Sequence, residues 1–155
     1  MHGNAEIIQA LNQLLAGELS AIDVYFVQSR ILEKQGLTRL HERLSGEIED
    51  ETRHADLLIK RILFLGGLPD VASRAACAVG ATAEEMLNID LELELAVAAH
   101  LNETIALCDS VGDHGTRKIL ERLLEETEND HISWLEAQLH LIGDVGIQNY
   151  LQGQI

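Results

Sequence analysis

The chain has 155 residues, 46% of them hydrophobic, a single proline and only 3% aromatics, a composition that suits one compact helix-rich domain and argues against a strand-built fold. A formal charge of −15 disfavours binding to nucleic acid or to an anionic membrane, and draws cations wherever the acids gather. Cys77 and Cys108 stand far apart and outside any C-x-x-C, which argues against a disulfide scaffold or a zinc knuckle.

The opening Met1-His2-Gly3-Asn4-Ala5-Glu6 has no basic stretch leading into an apolar one, and the longest apolar run, near residues 57–68, is broken by Lys60 and Arg61. A soluble, cytoplasmic protein is expected. Residues 5–34 read as a first helix stopped at Gln35-Gly36, and residues 39–65 as a second stopped at Gly66-Gly67. Their short connection makes them antiparallel. A looser stretch with the only proline, Pro69, lasts until Thr82, which forms a capping-box pattern with Glu85 and opens a third helix over 83–111. Gly112-Asp113-His114-Gly115 turns the chain into a fourth helix that continues to Ile142 before Gly143 and Gly146 stop it, and Ile147 to Leu151 suits a short fifth.

The link between the second and third helices has roughly 17 residues and reaches about 55 Å at ~3.3 Å per residue, whereas the second helix is about 40 Å long at ~1.5 Å per residue. It can cross the whole bundle. The expected architecture is therefore all-α: a four-helix bundle of two antiparallel hairpins joined by one long crossover.

Two Glu-x-x-His tetrads, Glu51 to His54 and Glu128 to His131, each follow a lone glutamate, Glu18 and Glu94, after 33 and 34 residues respectively. One hairpin is written twice. The apolar stripe of the first helix reads Ile8, Leu11, Leu15, Glu18, Ile22, Tyr25, Ser29, Leu32, and that of the second Leu40, Leu44, Ile48, Glu51, Ala55, Leu58, Ile62. The third gives Leu87, Leu91, Glu94, Ala98, Leu101, Ile105, Cys108, and the fourth Leu120, Leu124, Glu128, His131, Leu135, Leu139, Ile142. Every long helix thus carries one carboxylate near its middle on the inward face. Glu92 flanks the stripe of the third helix where Glu94 sits inside it.

A single Glu three residues before a His means little, since two of seven histidines show it here and most glutamates are surface residues. The repeat offset combined with four inward carboxylates is different, because four unpaired charges in one core are prohibitive unless something neutralises them. Two Fe²⁺ ions bring +4 against −4, and two neutral imidazoles complete a mixed oxygen and nitrogen shell of the kind iron accepts. Glu-x-x-His places carboxylate and imidazole on one helix face. The expected centre has Glu51 and Glu128 bridging, Glu18 and His54 on one iron, and Glu94 and His131 on the other. Tyr25, two turns after Glu18, reads either as core or as an electron donor during oxygen chemistry; Trp134 reads as core.

Glu18-Leu19 with Tyr25, Glu51-x-x-His54-Ala55-Asp56, the run Arg61 to Pro69, Asp130-His131-x-x-Trp134-Leu135-Glu136 and Gln148-Asn149-Tyr150-Leu151-Gln152 carry a resemblance, over essentially the whole chain, to the bacterioferritins. The resemblance implies one ferritin-like di-iron domain over residues 1–155 and a 24-subunit octahedral shell. It further implies a ferroxidase centre of Glu18, Glu51, His54, Glu94, Glu128 and His131 that oxidises Fe²⁺ with O₂ or H₂O₂ and deposits a ferric mineral core inside. Two departures stand out. The family's haem-ligating methionine, directly after the first Glu of the second helix's motif, is Thr52 here, a poor substitute for thioether ligation, and the only methionines are Met1 and Met86. Haem b is accordingly not expected in a homo-oligomer, although a methionine-bearing second subunit could share the shell. The family's inner-surface histidine, one turn before Asp50, is Gly46. By the same resemblance a small ferredoxin is the expected partner for iron release.

Three other readings use similar residues. A di-iron peroxidase or oxygenase shares the ligand set, but the former often carries a rubredoxin-like cysteine knuckle that is absent here. A DNA-protecting mini-ferritin fits neither the internal double motif nor the −15 charge. A non-catalytic shell subunit holding zinc is the remaining alternative.

Overall fold

Asn4 begins the first helix. Its side chain accepts hydrogen bonds from the backbone N–H of Glu6 and Ile7, satisfying donors that the helix itself leaves free. The computed structural model describes residues 2–155. Its elements are α1 (Ala5–Lys34), α2 (Thr38–Phe64), α3 (Ala83–Val111), α4 (His114–Glu126), a π-helical segment (Thr127–Ile132), α5 (Ser133–Val145) and α6 (Ile147–Gln152). Among the described residues there is no strand, and no helix is long and apolar enough to cross a membrane.

The expected bounds hold for α1 and α3, shift by one residue for α2, and lengthen by one for α6. Thr82 and Glu85 form the capping box that opens α3. Gly112 ends it in the left-handed conformation, at φ 72°, that a side chain disfavours. The fourth long helix departs from expectation in three ways. It starts at His114 and not after Gly115, because Asp113 caps it by accepting from the Thr116 N–H. It is broken at Thr127–Ile132 by the π turn, and it runs on to Val145, with Gly143 inside the helix and Gly146 as the stop.

α1 packs chiefly on α2 and also on α3, and α3 packs on α4, the π segment and α5. The crossover, residues 65–82, is tied to α1 and its C-cap by backbone hydrogen bonds at four heights, and by the Arg74–Asp23 ion pair besides. Asn12 bonds the backbone at Leu68 and Asp70, Ser20 accepts from Ala75, Gln28 accepts from Gly80, and Gln35 donates to Ala81. These anchors recur every seven or eight residues, two helical turns, and so form one stripe down α1. The crossover therefore climbs alongside α1 and delivers the chain to the far end of the bundle, so that α3 runs antiparallel to α1.

Two apolar clusters fill the bundle. One gathers Ile7, Leu11, Leu15, Leu58, Ile62 and Leu101; the other gathers Tyr25, Leu32, Leu40, Leu44, Met86 and Leu87. The charged residues of the inner stripe lie in sequence between them on every long helix. Leu58 is wholly buried in the first cluster. Leu58→Ala should lower unfolding free energy by about 2–5 kcal/mol, read as a shifted denaturant midpoint at constant slope.

Candidate metal centre

Where the apolar stripes break, Glu18 of α1, Glu51 and His54 of α2, Glu94 of α3 and His131 of the π segment meet, none more than 2% exposed. Donor atoms of Glu18, Glu51 and His54 lie within 4.8 Å of one another, and so do those of Glu51, Glu94 and His131. Glu51 belongs to both sets and divides its carboxylate between them: Oε2 is 3.1 Å from His54 Nδ1 and Oε1 is 2.9 Å from His131 Nδ1. Glu18 Oε1 completes one side at 3.8 Å from His54 Nδ1, and Glu94 Oε1 the other at 3.2 Å from His131 Nδ1. The two imidazole rings stack with centroids 5.8 Å apart. Glu92 is exposed, so the inward carboxylate of α3 is Glu94.

Glu128 does not join them. The inner-stripe expectation for this residue assumed a continuous α-helix, in which a position three before His131 shares its face. The π turn widens the repeat, so the residue that comes round to the inner face is Thr127, four before His131 and 1% exposed, while Glu128 is exposed.

Two carboxylates that the sequence reading left out stand behind the imidazoles. Glu126, the last residue of α4, places Oε2 2.9 Å from His54 Nε2 and accepts from Arg53 Nη2 at 2.8 Å. Glu47 places Oε2 2.9 Å from His131 Nε2, with Arg43 Nε 2.8 Å from its other oxygen; Asp50 Oδ2 is 3.7 Å from the same imidazole nitrogen. Glu47 was legible, since it lies one turn before Glu51 on the inner side of α2. Glu126, five residues before His131, is legible only once the π turn is known.

Tyr25 is buried and donates its hydroxyl hydrogen to Glu94 Oε1 at 2.5 Å. One turn from Glu94, the buried Asp90 accepts from Gln28 Nε2 at 2.7 Å. Thr52 faces outward and donates to its own helix at the Ile48 carbonyl, 2.7 Å away. Cys77 is exposed and Cys108 buried, both as free thiols.

Burial dominates the electrostatics. It pushes the Glu18 carboxyl well above the carboxylate range, helped by the neighbouring charge of Glu51, and raises Glu51 to about 7 and Asp90 to about 8. Burial also lifts the Tyr25 hydroxyl, with Glu94 and Asp90 adding to it. For Glu94, burial is overcome by His131 and Tyr25, and the carboxyl falls below its usual value. Glu126 likewise descends to about 2 against its partial burial, because Arg53 and His54 hold the anion. His131 moves the other way, raised despite burial by Glu47, Glu51 and Glu94.

Both oxygens of Glu18 and Oε1 of Glu51 are buried without a hydrogen-bond donor. Such orphaned carboxylate oxygens are costly in a protein interior, and a cation between them relieves the cost. The donor set, oxygen with two imidazole nitrogens, suits iron, manganese or zinc, and Glu51 is placed to touch a cation on either side.

The ferritin-like domain family matches residues 8–145. The chain is 46% identical over 155 residues to "Bacterial ferritin" of Synechocystis sp., covering 100% of this chain and 99% of that protein. It is 49% identical over 155 residues to "Bacterial ferritin" of Pseudomonas aeruginosa, covering 100% of both. "Bacterioferritin" of Mycobacterium leprae is 37% identical over 150 residues, 97% of this chain and 94% of that one.

The raised carboxyl of Glu51 makes a signed prediction for metal-free protein. A carboxyl near 4.3 in the unfolded chain and at about 7 in the folded one binds more protons when folded, so stability falls as pH rises through that window. Glu51→Gln removes this loss: its melting temperature should exceed that of the wild type at pH 7.5, with the difference shrinking by pH 5.

Proposed function

The chain belongs to the ferritin-like family, and from that membership and the twin donor sets sharing Glu51 we propose that it stores and detoxifies iron as a ferroxidase. Fe²⁺ is the substrate and O₂ or H₂O₂ the oxidant. Five buried residues hold the metal: Glu18 and His54 on one side, Glu94 and His131 on the other, with Glu51 bridging. Two iron ions held by these residues would each give up one electron, together matching the two-electron reduction of O₂ to H₂O₂ or of H₂O₂ to water, with two protons taken up in either case. The single observation that carries this reading is the division of Glu51 between the two histidines, 3.1 and 2.9 Å from their Nδ1 atoms.

The surrounding residues serve that chemistry. The apolar clusters above and below keep bulk water from the buried carboxylates, so a bound cation meets preorganised oxygens at low local dielectric. Tyr25, bonded to the Glu94 ligand, is the nearest redox-active side chain and stands as a reserve electron donor whose proton can pass to Glu94. Oxidised iron then moves inward to a ferric mineral core, in a cytoplasmic 24-subunit shell of bacterioferritin-like build. Thr52 spends its hydroxyl on the Ile48 carbonyl and offers no thioether, which supports a shell subunit that binds no haem on its own. A methionine-bearing second subunit and a ferredoxin for release remain the partners this reading anticipates.

Glu51→Ala should slow aerobic Fe²⁺ oxidation, followed near ~310 nm at a few Fe²⁺ per subunit, by roughly tenfold or more while light scattering still reports a shell-sized particle. Glu128→Ala, a change at an exposed position, should leave the fast phase within about twofold of wild type. Unchanged kinetics in Glu51→Ala would sink the assignment.

A further inference from the structure

Glu126 belongs to neither donor set, yet its carboxylate is the group that faces the outer nitrogen of His54. We propose that Glu126, clamped by Arg53, is a positioning residue that fixes the His54 ring with Nε2 outward and Nδ1 toward Glu18 and Glu51. In this role it sets the affinity of that half of the centre for a divalent cation. The proposal deepens the ferroxidase reading and rests on it.

A neutral imidazole ring has one N–H and one free lone pair, and the hydrogen bond made by one nitrogen decides which of the two is left to bind a cation. In His54, Nδ1 looks at Glu51 Oε2 and Glu18 Oε1, at 3.1 and 3.8 Å, while Nε2 looks at Glu126 Oε2, at 2.9 Å. Both nitrogens thus face acceptors, and the acceptor at Nε2 gives the proton a place there, so that a cation between Nδ1 and the carboxylates would find the Nδ1 lone pair free. Glu126 is itself held: the same Oε2 accepts from Arg53 Nη2 at 2.8 Å, and Oε1 lies 3.2 Å from Arg122 Nε.

His131 repeats the arrangement with different residues. Its Nδ1 faces Glu51 and Glu94, and its Nε2 faces Glu47, which Arg43 grips from the other side. A carboxylate with an arginine beside it thus lies behind each ligand histidine, hydrogen-bonded to the ring at His54 and close to it, without a hydrogen bond, at His131. The π turn makes this possible on the His54 side, because it begins immediately after Glu126 and swings Glu128 away from the inner face.

The test is Co²⁺ titration of metal-free full-length protein, following visible absorption and bound cobalt by equilibrium dialysis, with particle size and helix content checked for each variant. Wild type should bind two Co²⁺ per subunit. In Glu126→Ala, one of the two should weaken by about 10–100-fold and the other hold its affinity. Glu126→Gln, whose amide oxygen accepts the same N–H, should recover most of that loss. Unchanged binding of both ions in Glu126→Ala would overturn the positioning role. So would an equal loss in Glu126→Gln, which would make Glu126 a direct ligand. Glu51→Ala separates the two levels: if it loses cobalt while Glu126→Ala does not, only the positioning role fails, whereas retention of both ions in Glu51→Ala removes the site reading beneath it.

Discussion

Three buried glutamates facing one another in a protein interior are mutually repulsive and poorly solvated, and the rest of this molecule is arranged around that fact. The apolar core is split into two clusters to make room for them. Each cluster alone is a conventional helix-packing core, and the belt between them is what an apolar bundle of this size would not choose for stability. In the metal-free chain, protonation of Glu18 and Glu51 and the raised basicity of His131 share the burden. A pair of cations does it more completely, since a cation can meet several orphaned oxygens at once. Such a belt gives up packing stability for the capacity to hold a charged substrate.

The fold was largely legible because each of its determinants is local. The stop at Gly36, the capping box at Thr82 and Glu85, and the stripes of the first three helices each act within a turn or two of helix, and appear where they were expected. The crossover followed from reach alone. Within the site, Glu18, Glu51, His54, Glu94 and His131 come together as their phases implied. Glu128 does not, because phase arguments carry a silent assumption of constant pitch, and one π turn violates it. Glu126 was hidden by the same assumption, whereas Glu47, one turn before Glu51, sat in plain view on the inner side of α2 and faces the far nitrogen of His131.

The π segment illustrates how a single extra residue is absorbed. Placed in a loop it would be inconsequential; placed inside a packed helix it must either rotate everything downstream or be taken up in one widened turn. Here the second course preserves the packing of Leu135 and Ile142 in the far cluster while changing which of three successive residues, Glu126, Thr127 and Glu128, meets the centre. The outcome is a fourth helix that contributes one histidine directly and one carboxylate at second hand, where an unbroken helix would have contributed both directly.

The crossover has a consequence of another kind. α1 grips it mainly through main-chain atoms, at Leu68, Asp70, Ala75, Gly80 and Ala81, with one side-chain tie, Arg74 to Asp23, while residues 71–79 stand exposed. Recognition of backbone is indifferent to which side chain it carries. The course of the segment is therefore set by contacts that a change of outer side chain, Arg74 aside, leaves in place, so its exposed face can change without disturbing the centre that the helices hold.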